Sequence, residues 1–304
     1  MQIQERATMA VFMLIFMLNS FGQVEVKPSL TAEQLLEKAK KEYLNNLEGS
    51  EELIWYGRRT AYLGQYEKAI EIYSQGIKEH PKDARMYRHR GHRYISTRKY
   101  DLAIADFEKA ATLIEGKEDQ VEPDGLPNDR NIPLSTLHGN IWYHLGLAYY
   151  LKDDMENALK AYSNRTVTER YDDNLVSGGY WLYMILSRMG RSEEAKTAIE
   201  KVTEGMDIIE NTSYYKMCLF FKGLISEEEL TPKDPNSSGD NVFLYGLGNW
   251  YLFEKKDQQK AKGLYEQLLK TGNKYSFAYL AAESDWNRIW ERNSHRELAK
   301  RSYG

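Results

Sequence analysis

An all-α solenoid of stacked helical hairpins is the fold this sequence predicts, on three observations. Gly57, Tyr66, Ala69 and Tyr73 recur 34 residues later as Gly91, Tyr100, Ala103 and Phe107. A small–large–small pattern held at that period marks one helical hairpin packed on the next. Apolar residues otherwise fall at three- and four-residue spacing, and no segment alternates as a strand would. Glycine and proline stops, such as Gly49 and Pro81, separate the helical runs.

The 304 residues suffice for one large solenoid or two ordinary domains. Apolar residues make up 42% and charged residues 28%, as in a soluble globular protein. A net charge of −4 argues against a nucleic-acid binder, so any electrostatic recognition must be local. The 23 tyrosines suit half-buried inner walls. The single cysteine, Cys218, has no partner for a disulfide and reads as a small buried hydrophobe. Arg6, the apolar stretch Met9–Leu18, and Ser20 and Gly22 before Gln23 read as a signal peptide cut after Gly22. The mature chain is therefore expected to be exported, periplasmic or secreted, and not integral to a membrane.

The elements follow in order. After the predicted signal peptide at 1–22, a leader and capping helix occupy 23–49. Thr31 and Gln34 form a capping box ahead of Leu35, Leu36, Ala39 and Tyr43. Gly49 is expected to close that helix in the left-handed conformation, with Ser50 capping the next. Two hairpins fill 50–115. In the first, Gly57 and Ala69 allow close approach, Tyr73 fills the space beside the crossing, and Pro81 ends the second helix. An acidic, proline-rich insert spans 116–138. Two further hairpins occupy 139–204, carrying Trp142, Gly146, Ala158 and Tyr162, then Trp181, Leu186 and Ala195. Arg165 stands where a small residue is expected, which predicts looser packing there. A degenerate hairpin and loop cover 205–241, with Ser226 and Glu229 as a capping box. A last hairpin and a capping helix cover 242–304.

The order Leu53, Tyr56, Gly57, Gly64, Tyr66, Ala69, Tyr73, Gly76, Pro81 resembles a tetratricopeptide repeat. The unit 84–115 repeats it through Tyr87, Gly91, Tyr94, Tyr100, Ala103, Phe107 and Ala110, with Glu115 in place of the proline. Leu53 replaces the family's usual tryptophan and Thr60 its usual tyrosine. The resemblance is strong over 50–163 and degenerate afterwards. It implies a right-handed superhelix whose first helices line a concave groove, with ligand contacts from those helices.

In the second unit that helix is basic. Residues 84–99 carry Arg85, Arg88, Arg90, Arg93, Arg98 and Lys99, with His89 and His92, and no acidic residue. Arg85, Arg88, His89 and His92 share one face by their spacing. The repeat register that the resemblance supplies turns this face toward the groove, adding Arg58 from the first unit and Asn140, Tyr143 and His144 from the third. Arginine can hold a carboxylate with two parallel hydrogen bonds. These eight residues are therefore the candidate ligand site, and the expected partner is a protein or peptide with an acidic segment or C-terminal carboxylate. Some family members hold a terminal carboxylate with a three-unit clamp. Ile54 and Arg58 depart from that clamp, so only a general anionic groove is expected.

The insert offers a competing use for the same charges. Its five carboxylates, Glu118, Asp119, Glu122, Asp124 and Asp129, face two cations, a net of −3. It can fold over the basic helix and neutralise it, or wall a pocket for a small anionic ligand or glycan. A hydrolase is the weakest reading, since no catalytic motif, metal set or cofactor signature is present. The sequence leaves an adaptor and a small-ligand module both open.

Overall fold

The computed structural model describes residues 30–165, 171–234 and 237–291. The predicted signal peptide and the residues from 292 onward lie outside them. Thirteen α-helices occur among the described residues. The first, α1 (Ala32–Asn45), caps the array. Three clear hairpins follow: α2 (Ser50–Tyr62) with α3 (Tyr66–Glu79), α4 (Ala84–Ser96) with α5 (Tyr100–Ile114), and α6 (Leu137–Leu151) with α7 (Met155–Arg165). Next come α8 (Asp172–Arg188), a seven-residue α9 (Ser192–Ala198), and α10 (Thr212–Phe221) with a 3-10 turn at Glu227–Leu230. The array ends with α11 (Ser238–Phe253), α12 (Gln258–Leu269), α13 (Phe277–Trp286) and a π-helical turn at Asn287–Glu291.

The repeat pattern has a steric cause. A Cβ at Gly57 would lie 2.5 Å from the Tyr73 ring, and one at Gly146 would lie 2.5 Å from the Tyr162 ring. Gly91 faces Phe107 in the same way. In each hairpin the glycine lets the aromatic of the second helix lie against the first helix's backbone. Ala69, Ala103 and Ala158 are fully buried at these crossings. Close packing of this kind tolerates neither extra nor missing methylenes.

Both predicted capping boxes form, Thr31 with Gln34 and Ser226 with Glu229. Gly49 differs from expectation. It is the N-cap of α2 at φ −77°, and Ser50 is the first helical residue. The helix before it has already ended at Asn46, whose amide returns to Glu42 and Tyr43. The Ser50 hydroxyl is then free to accept from Arg85 Nη2 at 3.0 Å. Arg165 also differs: it is buried rather than loosely packed. Its guanidinium bonds Asn174 O at 2.7 Å and Ser177 Oγ at 3.2 Å and lies over the Tyr143 ring.

The inner helices stack in the order α2, α4, α6, and α8 packs against α11. The chain then returns on itself, because α13 packs against α6 as well as α11 and α12. Arg98, in the turn after α4, donates to Glu283 at 2.8 Å and to the Lys274 carbonyl at 2.9 Å. Tyr66 meets Tyr275 edge-on at 4.9 Å. Arg98 holds φ +60°, at the turn position where the preceding hairpin has Gly64 at φ +73°. A left-handed non-glycine backbone costs roughly 1–2 kcal/mol. The Arg98 side chain offsets that cost by tying the second hairpin to the C-terminal helix.

Candidate functional site

The returning helix and the insert together turn the groove into a chamber. Val121 pairs with Thr136 in an antiparallel bridge, and Glu122 N and Leu137 N donate to Ser135 O and Gln120 O. This pins the base of the insert at the start of α6. From there its carbonyls take the first unit's arginines: Arg58 donates to Pro123 O and Arg59 to Gly125 O, each at 2.9 Å.

Glu122 is the hub. It is buried among three of the sequence-named residues. Arg88 Nη2 lies 2.9 Å from Oε2, His89 Nε2 lies 3.7 Å from Oε1, and the Asn140 amide donates to Oε2. The insert therefore does neutralise the centre of the basic helix. His89 stacks on Tyr73 behind the hub.

Other charges of the helix find partners of their own. Arg85 turns away from the chamber to Asp83 and Glu51, because Asp83 is the N-cap of α4 and lies beside it. Arg90 makes a paired contact with Asp106 at 2.8 and 2.7 Å. The spacing that groups Arg85 with Arg88 could not show these competing carboxylates.

Two adjoining cavities remain on the inner face. One, of about 390 Å³, is lined by Arg88, His92, Asn140, Tyr143 and His144 together with Leu134–Thr136 of the insert and Arg165. Five of the eight candidate residues thus meet in one cavity. Arg58, Arg85 and His89 do not line it. The other, of about 420 Å³, lies beside Tyr66, Arg93, Tyr275 and the starts of α10, α11 and α13. His92, Glu210, Asn211, Tyr214 and Phe277 border both. Phe277 sits 5.6 Å from His92 and 5.5 Å from His144, ring centre to ring centre. Sizes of this order suit a side chain, a chain end or a small molecule.

Asp173 builds the wall at 209–211. It is fully buried and accepts the backbone N–H groups of Ile209, Glu210 and Asn211 at 2.7–2.9 Å. Tyr143 is held from behind by Trp181 Nε1 at 2.8 Å. Sequence reasoning missed Asp173, Arg93 and Phe277 as chamber residues. An aspartate at the start of a helix reads as an ordinary first-turn acid, and nothing local says that 277 returns to 92.

The chamber imidazoles are uncharged. Burial pushes His89 and His92 well below the usual imidazole range and His144 down to about 3, and nearby arginines add to the effect. His144 Nδ1 contacts Asn140 O at 2.6 Å, an opposing influence too small to restore the proton. The unfolded chain takes up these protons below about pH 6.5 while the folded one does not. Acid therefore favours unfolding: the stability present above that pH is lost as pH falls toward the folded values. His144 alone contributes about 2 kcal/mol of this loss at pH 5. Urea midpoints should fall between pH 7.5 and 5, less steeply in His144→Gln. A flat profile in the wild type contradicts the assignment.

A stack of helical hairpins around an inner-face chamber is a helical-repeat binding scaffold. More narrowly, two stretches of the chain, residues 57–118 and 139–163, match models of the tetratricopeptide repeat. Such repeats serve protein binding. No curated protein matches in the corresponding sequence comparison. Among solved structures, YrrB, described as a tetratricopeptide-repeat protein with an unusual peptide-binding site, is similar at 18% identity. It is covered over 99% of its length by 82% of this chain, with a TM-score of 0.44. A tetratricopeptide-repeat protein from Parabacteroides merdae is similar at 16% identity, over 83% of this chain and 90% of that one, with a TM-score of 0.47. Among the described residues no helix is long and apolar enough to cross a membrane.

Proposed function

We propose that this chain is an exported tetratricopeptide-repeat adaptor that admits a short anionic segment of a partner protein into its inner chamber. One observation carries the reading: Arg88, His92, Asn140, Tyr143 and His144 line one cavity together with Arg165, and Arg88 and Asn140 are held there by the buried carboxylate of Glu122. Partial enclosure by the insert and by α13 favours a chain end or a single protruding side chain over a long extended peptide. The same enclosure favours a second reading, a pocket for a small anionic ligand or glycan. Export rests on the apolar N-terminal stretch followed by Ser20 and Gly22.

The test is capture of partners from an envelope extract, read by mass spectrometry. His92→Glu places a negative charge in the chamber without removing a hydrogen bond. Lys109→Glu makes a larger charge change on the exposed face of α5. His92→Glu is expected to lose the captured protein at least tenfold, and Lys109→Glu to retain it.

A further inference from the structure

Six cations lie between residues 84 and 99, and five of them have a carboxylate partner. Arg85 pairs with Asp83 and Glu51, Arg88 with Glu122, Arg90 with Asp106, Arg98 with Glu283 and Lys99 with Glu67. Arg93 has none within 4 Å among the described residues. It lines the 420 Å³ cavity, with its guanidinium 5.2 Å over the Tyr66 ring. The ring face and the C-terminal end of α4 both stabilise a cation, but neither supplies a full negative charge. A charge withdrawn from bulk water is normally paired.

Hydroxyl and backbone donors line the same cavity. Three helices of at least ten residues, α10, α11 and α13, begin at this cavity. The amides of Phe277 and Ala278, the first two of α13, have no partner in the described chain. The Ser213 hydroxyl, in the first turn of α10, also has none. It is brought to the start of α11 by Gly239, where a Cβ would lie 2.5 Å from Ser213 Oγ. Glu210 is the one carboxylate in this lining, and its Oε1 is already taken by Asn128 at 2.7 Å.

We infer that this cavity is an oxyanion site for a phosphoryl or sulfate group, with Arg93 as its counter-charge and the Ser213 hydroxyl and α13 amides as its donors. Donors on three elements of one cavity lining fit an anion whose oxygens point in several directions better than a planar carboxylate, whose two oxygens share one plane. The inference rests on the reading of the chamber as a binding site, and it names where the partner's negative charge would sit.

The experiment is calorimetric titration of the purified chain with inorganic phosphate, sulfate, phosphoserine and acetate at constant ionic strength. Phosphate and sulfate are expected to bind at least tenfold more tightly than acetate. Arg93→Gln should lose that binding at least tenfold, with Arg93→Lys intermediate. Tighter binding of phosphoserine assigns the group to a partner chain, and tighter binding of inorganic phosphate assigns it to a free anion. Either outcome supports the site if Arg93→Gln removes it. Equal binding of acetate and phosphate, or unchanged phosphate affinity in Arg93→Gln, overturns it. Should Arg93→Gln fail to fold, Ser213→Ala decides: a several-fold loss supports the site and an unchanged affinity overturns it. Anion binding that survives while His92→Glu still captures every protein refutes the adaptor alone. Absent anion binding with intact, His92-sensitive capture refutes this inference alone.

Discussion

Asp285→Ala is expected to lower stability by about 3–5 kcal/mol, because it removes the buried one of Arg188's two carboxylate partners and leaves only Asp153, whose side chain is 43% exposed. Asp285 and Arg188 have side chains only 2% and 4% exposed. Arg188 donates to both carboxylate oxygens, at 3.0 and 3.2 Å. Tyr245 and Tyr265 donate to Oδ2 at 2.8 and 3.0 Å, and Arg288 pairs with Oδ1. One side chain of α13 thus holds α8, α11 and α12. Its loss should release the helix that closes the chamber as well as weaken the fold. Urea denaturation reads the first effect, and hydrogen exchange over 277–286 the second. An unchanged midpoint with protected α13 amides contradicts the assignment.

Glu122→Leu is the second large effect, about 3 kcal/mol. It removes the acceptor shared by Arg88 and Asn140 and strands Arg88, which is 12% exposed. The insert would keep its bridge at Val121 and Thr136 but lose its hold on α4. Limited proteolysis should then cut within 118–131 much faster than in the wild type, and the urea midpoint should fall. Glu122→Gln, which keeps an acceptor, should fall between the two. Equal cleavage rates in all three proteins would show that the hub does not hold the insert.

The regular hairpins were legible in the sequence because their determinants are local. Gly57 and Tyr73, or Gly146 and Tyr162, meet within one hairpin, so a fixed period records them. The basic face of α4 was legible for the same reason, and the insert was recognisable as its competitor from charge alone. The outcome of that competition depended on geometry. Glu122 reaches Arg88 because the bridge at 121 and 136 aims it there, whereas Arg85 is taken by its own N-cap. Closure by α13 was not legible. Arg98 and Glu283 are 185 positions apart, and Phe277 enters the chamber from the far end of the chain. Arg93 looked like its neighbours, and only the partners of the other five cations set it apart.

The central claim is that recognition takes place inside the chamber rather than on the outer faces of the array. The most direct measurement is the paired capture of partners by the wild type, His92→Glu and Lys109→Glu, each first shown to unfold cooperatively. The predicted result is one protein held by the wild type and Lys109→Glu, lost at least tenfold from His92→Glu, and displaced by a synthetic peptide of its anionic segment. Equal capture by all three proteins would contradict the claim.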